Sequence, residues 1–268
     1  MIKSNFHTHS TFCDGKDAPE EMVKAALEKD FEILGFSGHS YFYPDREYTM
    51  HSGNMQEYRE TIENLKEKYK GKIKIFCGIE QDYFSEPAIG YDYIIGSVHN
   101  VFKDGKYLTV DASPEPFMEN LNKYYNGDYD AFAEDYFSLV ADVVNKTNCD
   151  IIGHFDLVQK NSEKNGFGQS KRFLDAAEKA VKALVPSGKP FEINTGALAR
   201  KTRTIPYPTP EILKMIKDYG GSIAFSSDCH DKNYLDCHFA EIEKLALDIG
   251  FTEHGIITEN GVEFIKIG

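Results

Sequence analysis

Long apolar runs are missing from this 268-residue chain. None approaches the roughly 20 residues that a membrane-spanning helix needs. The opening MIKSNFHTHS has no apolar stretch of the kind a secretion signal carries. Cysteine is sparse and unpatterned: Cys13, Cys77, Cys149, Cys229 and Cys237 are odd in number, and no two are spaced C-x-x-C. This argues against a disulfide framework and leads to the expectation of a reducing, cytoplasmic compartment. Basic charge is short as well. Thirty Lys and Arg against 43 Asp and Glu leave a net charge of −13. Such a chain lacks the electrostatic footprint for sequence-independent binding to nucleic acid and a basic anchor for anionic membranes. If the substrate is anionic, something local must reverse the field, and bound metal ions do so. No Pro/Gly/Ser linker, low-complexity tract or internal repeat interrupts the chain. Residues 1–268 are therefore expected to form a single domain.

What the sequence does have is alternation. Short apolar runs at 3–7, 33–37, 73–79, 93–98, 150–153, 191–194 and 222–226 read as strands, several of them apolar throughout and suited to burial on both faces. Between them lie helical patterns at 18–29, 55–69, 132–144, 173–185, 210–219 and 234–249. Asn260-Gly261 sits between two further short apolar runs and reads as a terminal hairpin turn. Seven strands alternating with helices suggest an α/β fold, a (β/α)7 barrel, with a doubly wound open sheet as the alternative.

The polar residues favour the barrel, because almost every expected strand ends in a metal-ligating residue type. The ends are His7-Thr8-His9, Gly38-His39, Gly78-Ile79-Glu80, Val98-His99, Gly153-His154-Phe155-Asp156, Glu192-Ile193-Asn194 and Asp228-Cys229-His230. In a barrel these ends converge on one mouth, where barrel active sites are built. His7 and His9 are two apart in an extended segment and point to one face, as do Asp228 and His230. Glycines 38, 78 and 153, just before candidate ligands, are expected to let backbone and ion approach closely. A lone histidine is more often structural than a ligand. Six of nine histidines at strand ends would leave buried imidazoles unsatisfied and carboxylates repelling unless metal joined them. His51, His238 and His254 fall outside the set and read as ordinary, the second in mid-helix and the third in a turn. Asp14 is a turn signal with Gly15 and also a reachable ligand. Asp156 and Glu192 are either acceptors that orient ligand histidines or lining of the mouth.

At these residues the chain resembles the polymerase-and-histidinol-phosphatase (PHP) superfamily. The motifs run in family order over nearly the whole chain: His7-Thr8-His9-Ser10, Gly38-His39-Ser40, Gly78-Ile79-Glu80, Gly96-Ser97-Val98-His99, Gly153-His154-Phe155-Asp156, Glu192-Ile193-Asn194-Thr195 and Ser227-Asp228-Cys229-His230. Within the superfamily, Gly78-Ile79-Glu80-Gln81-Asp82-Tyr83 followed by 91–99 looks like the histidinol-phosphate phosphatases. The resemblance implies a distorted (β/α)7 barrel holding three divalent metals, commonly zinc, iron or manganese. It implies one metal on His7, His9, Glu80 and Asp228. A second would be shared through Glu80 with His99 and His154, and a third would sit on Asp14, His39 and His230. Many relatives carry histidine where this chain has Asp14. Relatives often read Leu-Arg after the sixth strand, where this chain reads Leu198-Ala199-Arg200.

The reaction this implies is hydrolysis of a small-molecule phosphomonoester, L-histidinol phosphate, by a water that bridges two metals and attacks phosphorus. Arg200 is expected to clamp the phosphate, and Lys160 matches another basic position. Glu80, Asp228 and His230 are the expected catalytic residues, with Asp228 or a histidine relaying a proton to the leaving alkoxide. Asp45, Glu47 and Asp82 are candidates for an acidic wall facing the substrate amine. The rivals are a phosphoesterase for nucleotides or phosphotyrosine, and a non-catalytic metal-binding module.

Overall fold

The structure is a computed structural model that describes residues 2–44 and 47–268. Its strands are β1 (Ser4–Asn5), β2 (Ile33–Phe36), β3 (Lys74–Asp82), β4 (Tyr93–Ser97), β5 (Asn100–Lys103), β6 (Lys106–Thr109), β7 (Ile151–Ile152), β8 (Phe191–Asn194), β9 (Ile223–Ser226), β10 (Glu253–Thr258) and β11 (Gly261–Lys266). Seven of them run parallel in the order β1-β2-β3-β4-β7-β8-β9. The ring closes just beyond the ends of its first and last members. There Thr8 bridges Cys229 in parallel register. His9 N–H donates to the Cys229 carbonyl at 2.8 Å, and Cys229 N–H donates to the His7 carbonyl at 3.0 Å. This is the expected seven-stranded barrel. Its distortion lies at β9, which also carries β10 beside it at Ala224, with β11 folded antiparallel onto β10 about the Asn260 turn.

Alternation along the strands explains the layering. Phe6, Phe76, Tyr93, Ile95, Ile151 and Ala224, with Ile257 of β10, form one buried cluster. Ile75, Cys77 and Ile79, on the opposite face of β3, join the larger core beneath the helices. Tyr93 is the pivot of the interior. Its hydroxyl lies 2.5 Å from the Phe6 carbonyl and 3.0 Å from that of Phe36, tying β4 to the ends of β1 and β2. Gly35 and Gly78 make room for it: a Cβ at either position would sit 2.4 Å or less from the Tyr93 ring or hydroxyl. The small residue at Gly78 thus serves a tyrosine and not an approaching ion. Gly153 is similar, facing Ser97 Oγ.

The helices follow ordinary local rules. Lys171–Leu184 starts at Ser170, whose hydroxyl accepts from Phe173 N–H, and buries Phe173, Ala177, Ala180, Val181 and Leu184 along one stripe. The pattern expected over 132–144 is two helices, Tyr129–Val140 and Val143–Thr147, the second ended by Asn148 in the left-handed region. The helix expected from 234 begins only at Phe239, because His238 at its start has φ 59°. His238 is therefore at a helix entrance and not in mid-helix, and His254 lies on β10 and not in a turn. The hairpin β5–β6 and the helix Pro114–Tyr125 were not foreseen. Among the described residues no helix is long and apolar enough to cross a membrane.

Candidate metal centre

The segments just past β1, β2, β4, β7 and β9 deliver the six strand-end histidines to one cluster, and β3 itself adds Glu80. Past β9 the backbone is not extended as expected but turns through the left-handed region at Asp228, with φ 47°. β3 runs to Asp82, three residues beyond its expected end, so Glu80 stands within the strand and not at its tip. Glu80 is the centre of the cluster. Its Oε2 lies 2.7 Å from His39 Nδ1, 3.4 Å from His7 Nε2 and 3.8 Å from His9 Nε2. Its Oε1 lies 2.8 Å from His154 Nε2 and 3.1 Å from His99 Nε2. Asp228 Oδ1 approaches His9 Nε2 at 3.3 Å and His230 Nδ1 at 3.5 Å. Asp14 reaches the cluster from the loop after β1, with Oδ2 3.1 Å from His230 Nε2 and Oδ1 3.5 Å from His39 Nε2. Every ligand candidate from the sequence is therefore within this one assembly.

These donors fit divalent metal ions. The Nε2 atoms of His7 and His9 are fully buried, have no hydrogen-bond partner among the described residues, and face Glu80 and Asp228. Two ligands on a tetrahedral ion at about 2.0–2.1 Å stand roughly 3.3 Å apart, close to the separations found between these imidazoles and carboxylates. Three groups of side chains have ligand atoms near enough to share an ion: His9, Asp14, His39 and His230; His7, His9 and Glu80; His39, Glu80 and His99. Imidazole with carboxylate suits zinc, manganese and iron.

The charges point the same way. Burial pushes the Glu80 carboxyl up, but the His39, His99 and His7 imidazoles overcome it and hold the group well below the usual carboxylate range. Asp228 is likewise buried and is held down by Arg200 and His7. Burial opposes charge on His7 and His99 too, yet Glu192 and Glu80 raise His7, and Glu80 and Asp82 raise His99. His9, buried and facing His230 and His39, falls to about 3. The carboxylates thus call for positive charge at their centre, and cations placed there would satisfy them.

Supporting residues fix the imidazoles. His7 Nδ1–H donates to Glu192 Oε1 at 2.5 Å; Glu192 also accepts from the His154 backbone N–H and from Ser226 Oγ. Glu192 is the orienting acceptor foreseen as one of its two readings. Asp156 is not: it accepts from Gln159 Nε2 and Thr209 N–H and touches no candidate ligand. Asp82 takes that role instead, 3.1 Å from His99 Nδ1, and is buried, so it forms no acidic wall for a substrate amine. Its place was legible, since residues 80 and 82 of one strand share a face. Glu47 is exposed and does not line the cleft, and Asp45 lies outside the described residues.

Above the cluster opens a cleft of about 530 Å³, lined by the ligand candidates and also by Arg200, Lys160, Asp111, Tyr48, Leu157 and Tyr234. Arg200 donates to Asp228 Oδ2 at 3.0 Å, and Lys160 donates to the Asp111 carbonyl. Asp111 has no signal of its own in the sequence, because it is delivered by the β5–β6 hairpin, whose alternation is weak. A model of the PHP domain matches residues 5–196. The chain belongs to the PHP domain family. Among similar PHP relatives, the probable histidinol-phosphatase of Schizosaccharomyces pombe is 26% identical over 257 residues, covering 87% of this chain and 82% of that one. The histidinol-phosphatase of Lactococcus lactis is 26% identical over 284 residues, covering 99% and 97%. A crystal structure of histidinol phosphate phosphatase from L. lactis, complexed with zinc, L-histidinol and phosphate, matches with a TM-score of 0.72 at 24% identity over 97% of this chain and 98% of that one. The PHP barrel seen here is thus shared with that structure nearly end to end.

Proposed function

We propose that this PHP chain hydrolyses L-histidinol phosphate to L-histidinol and phosphate, with three divalent ions of zinc, manganese or iron at the barrel mouth. The observation that carries the reading is Glu80, whose two oxygens face different histidines beneath a cleft walled by Arg200 and Lys160. Names of the relatives supply the substrate. His7, His9, Glu80 and Asp228 hold one ion, Glu80 with His99 and His154 a second, and Asp14, His39 and His230 a third. Metal ions in such a site supply Lewis acidity toward a phosphoryl group and an acidified water.

The protein's own groups do the rest. Arg200 turns its guanidinium toward the phosphoryl oxygens, where two parallel N–H donors match their geometry. Lys160 adds a second cation on the far wall. Glu192 and Asp82 hold His7 and His99 in the tautomer whose Nε2 faces the cluster. Asp228 and His230, joined to Asp14, stand where a proton can pass to the leaving alkoxide. The test is phosphate release from histidinol phosphate, a nucleoside monophosphate, a phosphotyrosine peptide and p-nitrophenyl phosphate, with metal content measured on the same sample. Histidinol phosphate should lead in kcat/KM by at least about tenfold. A metal-loaded protein that prefers another ester, or releases no phosphate, overturns the reading.

A further inference from the structure

The loop that leaves β1 folds back over His9. Cys13 N–H and Gly15 N–H both donate to the Ser10 carbonyl, at 3.0 and 3.1 Å. The turn is so tight that a Cβ at Gly15 would lie 2.4 Å from Ser10 N and 2.5 Å from the His9 carbonyl carbon. Two side chains are delivered by it. Asp14 goes to the ligand cluster. Cys13 goes to the His9 ring, at the same nitrogen that Asp14 Oδ1 approaches at 3.8 Å: its Sγ lies 3.5 Å from Nδ1 and 3.6 Å from the Ser10 carbonyl.

His9 is the ambiguous member of the cluster. Its Nε2 faces Asp228 and Glu80, while its Nδ1 lies 3.8 Å from Asp14 Oδ1, so either nitrogen could ligate. Resting on the metal-centre reading above, we propose that Cys13 is a positioning residue which decides this. Its thiol donates S–H to the Ser10 carbonyl, and its sulfur accepts the Nδ1–H of His9. The Nδ1 proton then excludes that nitrogen from metal, and Nε2 is left with its lone pair aimed between Asp228 and Glu80. The buried Nε2 atom with no hydrogen-bond partner agrees with that assignment. His7 and His99 use carboxylates for the same purpose, Glu192 and Asp82. Cys13 is the neutral counterpart on the third imidazole, in a place where another carboxylate would add to the crowding of negative charge around Asp14.

Zinc-loaded native protein, Cys13→Ser and Cys13→Ala are compared for zinc release to a chromophoric chelator. Long-range 1H–15N spectra of the metal-free forms report which His9 nitrogen carries hydrogen. Loss of a hydrogen-bonded partner behind a metal-binding histidine costs about ten- to a hundredfold in affinity when that partner is a carboxylate. A thiol is the weaker acceptor, so Cys13→Ala should release one zinc per chain about three- to tenfold faster. Cys13→Ser, whose hydroxyl can both donate to Ser10 and accept from Nδ1–H, should stay within about twofold of native. Native and Cys13→Ser spectra should show Nδ1–H on His9. Equal release from all three proteins, equal acceleration in both variants, or hydrogen on Nε2 in the native protein each overturn the proposal. A native protein that takes up no zinc would overturn the metal reading instead, and the tautomer would still decide the role of Cys13.

Discussion

Glu80 has no near substitute in the cluster, since its two oxygens separate His7, His9 and His39 from His99 and His154. An amide there would keep the shape and lose the charge. Glu80→Gln should fold, by circular dichroism, and lose nearly all turnover with reduced metal content. A folded, fully metallated and comparably active variant would remove Glu80 from the bridging role. Arg200 offers a graded test. A charged hydrogen bond to phosphate is typically worth about 1.5–3 kcal/mol, so Arg200→Ala should lower kcat/KM by roughly tenfold to somewhat over a hundredfold. Lys201 is the matching control, being exposed. Arg203 cannot serve, although it belongs to the same basic run in the sequence. It is buried, with its guanidinium 4.6 Å from the Tyr207 ring, so its replacement would disturb packing. Equal, near-native values for the Arg200 and Lys201 variants would leave the phosphate clamp unassigned.

At the scale of elements, β4 is held to its neighbours from inside the barrel by Tyr93. Tyr93→Phe removes the hydroxyl that meets the Phe6 and Phe36 carbonyls, and should cost about 1–3 kcal/mol in urea denaturation by stranding buried acceptors. An unchanged midpoint would mean that those carbonyls find other partners. Much of this level was readable beforehand. The parallel strands are apolar because both faces are buried, and their polar ends stand out against that background. What could not be read depends on contacts distant in sequence. β5–β6 mixes Lys103, Lys106 and Tyr107 with exposed Phe102, so its alternation is weak and it gave no strand signal. Helix Pro114–Tyr125 buries Phe117, Leu121 and Tyr125 at spacings of four, a stripe diluted by polar neighbours. Glu80 is legible in its motif and Asp14 in its place five residues after His9, whereas Asp111 depends on the β5–β6 hairpin.

For the molecule as a whole, His254 gives a pH handle remote from the cluster. It is buried beside Phe225 on β10, and burial lowers its pKa below the usual histidine value. A histidine that is harder to protonate folded than unfolded contributes full stability above its unfolded pKa, about 6.5. That stability is lost as pH falls through this value toward the folded one. Between about pH 7.5 and 5.5 the native protein should therefore lose more urea stability than His254→Phe, the difference between the two curves separating His254 from His7, His99 and His230 of the cluster, which are shifted the other way. Parallel curves for the two proteins would assign the acid sensitivity elsewhere.

The join between Thr8 and Cys229 brings together the beginning of the chain and a segment more than two hundred residues later. Each side of that join carries ligand candidates, His7 and His9 on one and Asp228 and His230 on the other. Ions held between them would act as a clasp on a hoop, fastening it beside a short run of backbone hydrogen bonds and the Asn5 side chain, which bonds across to Ser227. Loading should then slow hydrogen exchange at the amides of His9 and Cys229 far more than in the β3–β4 ladder opposite. Equal protection at both places would mean that the hoop stays shut without its clasp.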